Sequence, residues 1–414
     1  MKLYGDGRVA LAGDQVTADK LGWGERRRSL PDPERVLAPR QGDPRLEPWI
    51  APPWWDAALS LDVLRRRRRR RTPWSYLPDV PGVLRYLEVL AKPRRRDGVS
   101  VAIAGMGRVG GTAATVLAAT PSRRSGIREL LVYDVDGANQ ERWVLELLSV
   151  GGWRQRESFP RLHPTSLAQV FTQCDVFVFA ATEGVPPLGW EGDVRLPQFE
   201  PNRAILRAFL DHARAANFAG LFLVVSDPVD LLAQAVFHDS NVTSAGRFTG
   251  EGLAPESTAG LGLGVMWARA LACARREGWE QAVSLRGGAY GPHSGEVVAF
   301  DDLVRPSTHR CEQLSRAARE WNYSVRNLGF LPFVGPGVSS VALTLPRLLA
   351  GQEALASVFV AGLYFGAPAR LDHGLYPSPH AMAPGAFATV GALHARLKGQ
   401  VGHLGLAAGA GAAP

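Results

Sequence analysis

The chain has 414 residues, which is enough for two domains that each bury a core. Hydrophobic residues make up 46% of it, and no apolar run approaches the roughly 18 residues that a membrane span needs. This composition is typical of an ordinary globular protein and favours neither a membrane protein nor a secreted one. The three cysteines lack CxxC spacing, which argues against a metal site or a disulfide framework and favours a reducing cytoplasm.

The net charge of +8 is confined to the first part of the chain. Residues 1–97 hold 21 Lys and Arg against 13 Asp and Glu, whereas the remainder holds 26 of each. This segment is also rich in Pro and Trp. We expect a partly disordered N-terminal extension with short ordered pieces, namely a hairpin around Lys2–Leu11 and a helix at Pro81–Ala91.

An unbroken run of seven arginines, Arg65–Arg71, lies within this extension near several tryptophans. Such a run can bind nucleic acid through phosphate contacts, with the aromatic rings stacking on bases. A solvated, self-repelling linker, or an arm that packs on a neighbouring subunit, is the favoured interpretation of the same pattern.

From Val99 onward, apolar strands alternate with helices. The predicted strands are Val99–Gly105, Glu129–Asp134, Cys174–Ala181 and Gly220–Val225. The predicted helices are Val109–Ala119, Gln140–Val150, Pro201–Asn217 and one that starts at Val229–Phe237. Continuously apolar strands separated by helices predict an α/β fold with a doubly wound parallel sheet of the Rossmann type, covered on both faces.

The second half is less regular and predicts an α+β domain. Its predicted helices are Leu261–Glu277, Thr308–Leu328 and Phe387–His403. Its predicted strands lie near Val283–Gly287, Glu296–Phe300 and Ala356–Phe365. The Ala/Gly-rich tail, residues 407–414, is expected to be disordered. The domain prediction is thus 1–97, 98–240, 241–406 and 407–414.

A glycine-rich turn joins the first strand to the first helix. Gly105 permits the tight turn, Gly107 lets the backbone approach a pyrophosphate, and Gly110 allows the helix to pack closely on the strand. The second strand ends in Asp134, which can bind ribose hydroxyls and repel a 2′-phosphate. The predicted cofactor is therefore NAD. The predicted cofactor-binding residues are Gly105, Gly107, Arg108, Val109, Gly110, Asp134 and Ala180. A glycine-rich turn without a ligand is the weaker alternative, because this one lies between a strand and a helix.

Four further segments, and a stretch before the last helix, together resemble the lactate/malate dehydrogenase family in their order along the chain. They are Asp193–Asn202, Ser226–Asp230, Val265–Arg269, Gly291–Gly295 and Phe365–Gly374. The resemblance covers about residues 98–404. It implies an NAD-dependent oxidoreductase that interconverts a 2-oxo acid and a 2-hydroxy acid, and a homo-oligomer, dimer or tetramer.

The same resemblance implies roles for individual residues. Arg269 would hold the substrate carboxylate, since a planar guanidinium suits bidentate binding. His293 would exchange a proton with the carbonyl oxygen, and Arg195 would polarise that carbonyl under a closing loop. Asn202 joins Arg269 in the substrate-binding set.

Two positions depart from the family pattern. The family places an aspartate beside the catalytic histidine, and Met266 stands at that position here. Asp227 stands where the family has asparagine. We hypothesise that Asp227 supplies the missing carboxylate and is catalytic. A Gly-, Pro-, Ser- and Thr-rich insertion near 249–260 precedes the altered helix and can reshape the pocket.

The loop that reads the substrate side chain in malate dehydrogenases contains no arginine here. Leu188 and Trp190 in this loop predict an apolar substrate side chain. Two alternatives to an active dehydrogenase stay open. One is an NAD(H)-binding family member without that activity, acting as a sensor or scaffold. The other is a nucleotide-binding protein whose main partner is an anion or nucleic acid held by the basic extension.

Overall fold

The computed structural model describes residues 98–406, with gaps at 152–157, 191–192, 219, 244, 248–251, 284, 372–373 and 379, and three short strands nearer the N-terminus. The strands are β1 Lys2–Tyr4, β2 Leu11–Gly13, β3 Glu47–Pro48, β4 Val99–Ala104, β5 Ile127–Tyr133, β6 Arg161–Pro164, β7 Val176–Phe179, β8 Leu221–Val224, β9 Thr258–Gly260, β10 Gly288–Tyr290, β11 Val298–Phe300, β12 Ala354–Val360, β13 Leu363–Leu371, β14 Leu375–Pro377 and β15 Ala381–Met382. The α-helices are α1 Arg108–Ala118, α2 Ser122–Ser125, α3 Gly137–Leu148, α4 Val170–Gln173, α5 Phe199–Ala215, α6 Val229–Asn241, α7 Leu263–Arg276, α8 Thr308–Asn327, α9 Thr344–Leu349 and α10 Pro384–His403, and a π-helix spans Pro336–Ala342.

Nine strands form one sheet in the order β14-β13-β12-β9-β8-β7-β4-β5-β6. The strands from β4 to β9 pair in parallel, whereas β12, β13 and β14 pair antiparallel. This arrangement confirms the predicted doubly wound parallel sheet. The sheet also runs through both predicted domains, because β9 pairs with β8 on one side and with β12 on the other. The domain boundary near residue 240 stays a prediction.

The core lies on both faces of this sheet. All six residues of β4 are buried, as expected for a central strand with helices on either side. Aromatic rings fill one face, where Phe177 packs against Phe171, Phe209 and Phe222 at centroid distances of 4.6, 5.4 and 4.8 Å. In the described part of the chain, no helix is long and apolar enough to cross a membrane.

Several predicted elements differ from the structure. The strand predicted near Val283–Gly287 is wrong in position, because β10 begins at Gly288. The single strand predicted at Ala356–Phe365 is a hairpin of β12 and β13. Its turn holds Ala361 and Gly362 at φ +47° and +101°, and alanine gives no sequence signal for such a backbone. The short strands β6 and β9 and the π-helix were not predicted.

The N-terminal predictions are covered only in part. β1 pairs antiparallel with β2, in agreement with the predicted hairpin. The predicted helix at Pro81–Ala91, the Arg65–Arg71 run and the tail at 407–414 lie outside the described residues.

Candidate active site

A cavity of about 360 Å³ opens at the carboxyl ends of β4, β7, β8 and β9. After β4 the chain continues to β5 on one side, and after β7 it continues to β8 on the other side. A crevice therefore forms between β4 and β7, at the position where α/β proteins bind ligands. The glycine turn, Gly107–Val109, lines one wall, and Arg195, Arg269 and His293 line another. The fold thus gathers segments that are nearly 200 residues apart in sequence.

The glycine turn has room for an anion. Gly105 has φ +94°, and a Cβ there would lie 2.5 Å from the main-chain nitrogen of Ala181, so a side chain is excluded. A Cβ at Gly107 would meet nothing within 4 Å, so this position faces open space. Gly107 caps α1 without a side-chain hydrogen bond, which leaves the first amides of the helix available. These features fit a pyrophosphate at the start of the helix.

The remaining predicted cofactor residues surround this turn. Asp134 follows β5, and its carboxylate accepts hydrogen bonds from the Met106 and Asp136 amides at 2.7 and 3.0 Å. The acidic group is therefore fixed beside the glycine turn. Arg108 and Ala180 line the cavity itself.

His293 is held by the main chain on one side and by an acidic residue on the other. Its amide donates to the carboxylate of Asp230 at 2.7 Å. Its Nδ1 lies 2.9 Å from the carbonyl oxygen of Gly262. Because a carbonyl can only accept, Nδ1 carries a hydrogen, and the neutral ring keeps its lone pair on Nε2. That Nε2 lies 3.6 Å from Oδ1 of Asp227.

The charges around the imidazole favour its neutral form. Burial lowers the pKa of His293 well below its usual 6.5, and the Arg195 and Arg269 guanidiniums lower it further, against the hydrogen bond to Gly262. Burial raises the pKa of Asp227 to about 6, although the nearby Arg195 opposes this shift. Oδ1 of Asp227 is buried without a hydrogen-bond partner among the described residues. At neutral pH the ring can therefore accept a proton at Nε2.

Two arginines complete this wall. Arg269, on α7, is only 7% exposed, and its Nη1 contacts the sulfur of Met266 at 3.4 Å. Arg195 precedes a 3₁₀ turn at Leu196–Gln198, and its Nε lies 3.9 Å from Oδ1 of Asp227. The structure therefore brings together the four residues that the sequence analysis placed at the catalytic centre.

The hypothesis for Asp227 needs one correction. The hypothesis predicts that Asp227 replaces the family's aspartate as the group that orients the ring. Asp227 does face His293, but it lies beside Nε2. The Gly262 carbonyl occupies the orienting position at Nδ1 instead. Met266 contacts Arg269. Main-chain geometry at Gly262 thus takes over the orientation of the ring.

Asn202 contacts the main chain in this structure, and its predicted role in substrate binding stays a prediction. It is fully buried, and it is absent from the residues that line the cavity. Its amide donates to the carbonyl of Asp227 at 2.8 Å, and its oxygen accepts from the Glu183 amide at 2.9 Å. It is a positioning residue that ties the loop after β7 to the strand end that carries Asp227.

Polar side chains that were not predicted also line the cavity, and two of them, Asn322 and Arg326, lie on α8. Asn322 and Arg326 extend the buried stripe of α8 that begins with Leu314 and Ala318, at a constant spacing of four residues. Polar residues that continue an apolar stripe at helical spacing are the sequence signal that could have indicated their burial. Conversely, Leu188 and Trp190 are each 46% exposed and do not line the cavity. The basis for an apolar substrate side chain is therefore weakened.

Comparison with known proteins agrees with this geometry. Residues 99–249 match the family model for the NAD-binding domain of lactate/malate dehydrogenases. An L-lactate dehydrogenase of Lactococcus lactis subsp. cremoris is 27% identical over 161 residues, which is 38% of this chain and 46% of the relative. The alignment thus spans about half the length of the curated relatives that the chain matches.

Solved structures share the fold over a longer stretch. A minor L-lactate dehydrogenase from Enterococcus mundtii has a TM-score of 0.59 at 19% identity and covers 75% of this chain and 99% of its own. A malate dehydrogenase from Archaeoglobus fulgidus in complex with NADH has a TM-score of 0.59 at 15% identity. The match covers 74% of this chain and 99% of that enzyme. Residues 99–249 therefore match the NAD-binding domain of lactate/malate dehydrogenases, and the chain shares the fold of these enzymes.

Proposed function

We propose that the chain is an NAD-dependent oxidoreductase that interconverts a 2-oxo acid and a 2-hydroxy acid. One observation carries this proposal. His293, Arg195 and Arg269 line the same cavity as the glycine turn, so an acid–base side chain and two guanidiniums face the place where a dinucleotide would end. NAD, when bound there, supplies or accepts the hydride.

The side chains divide the work on the substrate. Arg269 presents its planar fork to the carboxylate, and its burial strengthens that ion pair. Arg195 stabilises the negative charge that develops on the substrate oxygen. During oxidation Nε2 of His293 removes the proton from the substrate hydroxyl. During reduction it passes to this oxygen a proton taken from the carboxyl group of Asp227, which lies 3.6 Å away. The Gly262 carbonyl holds the imidazole at Nδ1, and Asp230 holds the main chain of His293.

Asp134 is the residue that should select the cofactor. The Asp134→Asn variant keeps an acceptor for the Met106 amide and removes the charge that repels a 2′-phosphate. We expect the ratio of kcat/KM for NADH over NADPH to fall by at least about tenfold. Steady-state kinetics with both cofactors measure this ratio. An unchanged ratio would show that another group discriminates between them.

Asp227 should set the pH dependence of reduction. Its folded pKa of about 6 lies above the ordinary 3.8, so it holds a proton below about pH 6 and loses it as the pH rises. We expect reductive kcat/KM to rise as the pH falls toward 6. Asparagine cannot carry this proton, so in Asp227→Asn none can be passed to Nε2 of His293, 3.6 Å away. Reductive kcat/KM at pH 7 should then fall by about tenfold or more, with a smaller loss in oxidation.

The stability of the Asp227→Asn variant separates a catalytic effect from a folding effect. An ionised carboxylate is disfavoured at this site, so the neutral isostere should unfold at an equal or higher temperature at pH 8. This advantage should shrink toward pH 5, where the wild-type carboxyl group is itself protonated. Full reductive activity of the variant at pH 7 would contradict the proposed role.

The decisive test of the proposed function is turnover. The full chain is mixed with NADH and a panel of 2-oxo acids, and with NAD and the matching 2-hydroxy acids, at high enzyme concentration. Turnover with at least one pair supports the proposal. If NADH binds but no acid is turned over in either direction, the chain is the alternative, an NAD(H)-binding member without dehydrogenase activity. The replacement of the family's aspartate by Met266 is the observation that favours this alternative.

We also propose a cytoplasmic homo-oligomer, on the basis of the family resemblance and of three cysteines that form no disulfide. Light scattering after size-exclusion chromatography would give the mass of the assembly. A monomeric mass would overturn the oligomer.

A further inference from the structure

A buried guanidinium lies in the cavity without a counterion. Arg326, in the last turn of α8, is 8% exposed and lines the cavity. Its Nη2 donates to the carbonyl oxygens of Pro186 and Pro187, at 3.0 and 2.6 Å. Among the described residues, no carboxylate oxygen lies within 4.0 Å of its nitrogens. Burying a cation without an anion is costly, so this position is suited to an anionic ligand.

A second polar group points to the same place. Asn322 lies one helical turn before Arg326, so the two side chains share a face of α8. It is 4% exposed and lines the cavity, and its Oδ1 is buried without a hydrogen-bond partner among the described residues. Because Oδ1 and an ionised acid both only accept hydrogen bonds, the atom of this side chain that can bind an anion is the Nδ2 donor.

These groups are separate from the arginine that binds the reacting carboxylate in the proposed function. Arg269 projects from α7, whereas Arg326 and Asn322 project from α8. Arg326 is also hydrogen-bonded to the loop that carries Pro186 and Pro187, so the two guanidiniums are held by different elements around one cavity. A single ligand with two acidic groups can therefore pair with both.

We propose that Arg326 and Asn322 form a distal anion-binding subsite, which selects 2-oxo and 2-hydroxy acids that carry a second acidic group at the end of the side chain. The guanidinium pairs with the distal acid, and Nδ2 of Asn322 donates a hydrogen bond to it. This subsite replaces the apolar preference predicted from Leu188 and Trp190, neither of which reaches the cavity. The proposal rests on the proposed function for the reacting end of the substrate.

The test is designed to need no turnover. Isothermal titration calorimetry on the enzyme–NADH complex compares 2-hydroxyglutarate with 2-hydroxypentanoate, which have five carbons each and differ in the terminal carboxylate. Hydride transfer cannot occur because cofactor and ligand are both reduced. Malate and 2-hydroxybutanoate repeat the comparison with four carbons. The variants are Arg326→Gln and Asn322→Leu, and the matched control is Arg316→Gln, an exposed arginine of the same helix that does not line the cavity.

We expect the diacid of at least one pair to bind about 10- to 100-fold more tightly than its monoacid. This ratio should fall to about one in Arg326→Gln, fall several-fold in Asn322→Leu and stay unchanged in Arg316→Gln. Equal or weaker binding of both diacids by the wild type would overturn the proposal, as would a preference that persists in Arg326→Gln. If Arg326→Gln no longer binds NADH, the ratio of diacid to monoacid affinity is compared between Asn322→Leu and wild type. An unchanged ratio would then overturn the proposal.

The two proposals fail in different ways. A diacid preference that depends on Arg326, without turnover of any acid, would contradict the proposed dehydrogenase activity and support the subsite. Turnover that strongly prefers the monoacids would support the dehydrogenase activity and contradict the subsite.

Discussion

Replacement of His293 by glutamine should lower kcat/KM by about 10²- to 10⁴-fold in both directions, which is the usual contribution of general acid–base catalysis. Glutamine can still donate to the Gly262 carbonyl, but its amide cannot exchange a proton with the substrate. Initial rates of NADH oxidation and NAD reduction measure the effect. Binding of NADH should change little, because His293 is not part of the glycine turn.

A matched exchange tests whether the loss is specific. His238→Gln changes a half-buried histidine on α6 whose Nδ1 pairs with Asp239, at a position that does not line the cavity. This variant should keep its activity. If His293→Gln retained more than about a tenth of wild-type activity, proton transfer through Nε2 would be excluded as the main contribution of this residue.

Replacement of Arg269 by glutamine should produce a comparable loss, and mainly through substrate binding. A buried charge-assisted pair with the carboxylate is lost, so kcat/KM for the 2-oxo acid should fall by about 10³-fold, with most of the change in KM. Arg269→Lys keeps the charge but not the planar fork, and its loss should be nearly as large. Burial already lowers the pKa of Arg269 to about 10, so the group remains charged at neutral pH.

Arg276→Gln provides the control for this prediction. Arg276 lies on the same helix but is exposed, and it does not line the cavity. Its replacement should leave KM unchanged. Equal KM values for Arg269→Gln and wild type would show that the substrate carboxylate binds elsewhere, and Arg326 would then be the first residue to examine.

Much of the NAD-binding half was predictable because local and long-range signals agree there. Buried parallel strands are continuously apolar, and the glycine turn marks the place where strand and helix meet. The boundaries of β4 and α1 were therefore predicted to within a residue. The candidate site residues His293, Arg195 and Arg269 could be named because they occur in family order, and the structure brings them into one cavity.

The remaining features depend on contacts that leave no local pattern. The partner of Nδ1 is a main-chain oxygen, and every residue has one, so the sequence does not distinguish Gly262 in this role. Arg326 is one of many arginines, and its burial in the cavity depends on how α8 packs beside α7. The hairpin at Ala361–Gly362 was missed for a similar reason, since alanine rarely adopts a positive φ.

The Gly262 carbonyl has a consequence for how this lineage tolerates mutation. A side-chain partner can be lost by one codon change, but a main-chain oxygen persists whichever amino acid is encoded. Sequence drift at position 266 therefore leaves the orientation of His293 intact. The position that does not tolerate substitution is instead Gly262 itself, because a Cβ there would lie 2.6 Å from Cγ of His293 and would displace the ring. Homologues that share Met266 should thus retain glycine at this position, whatever else has diverged around it.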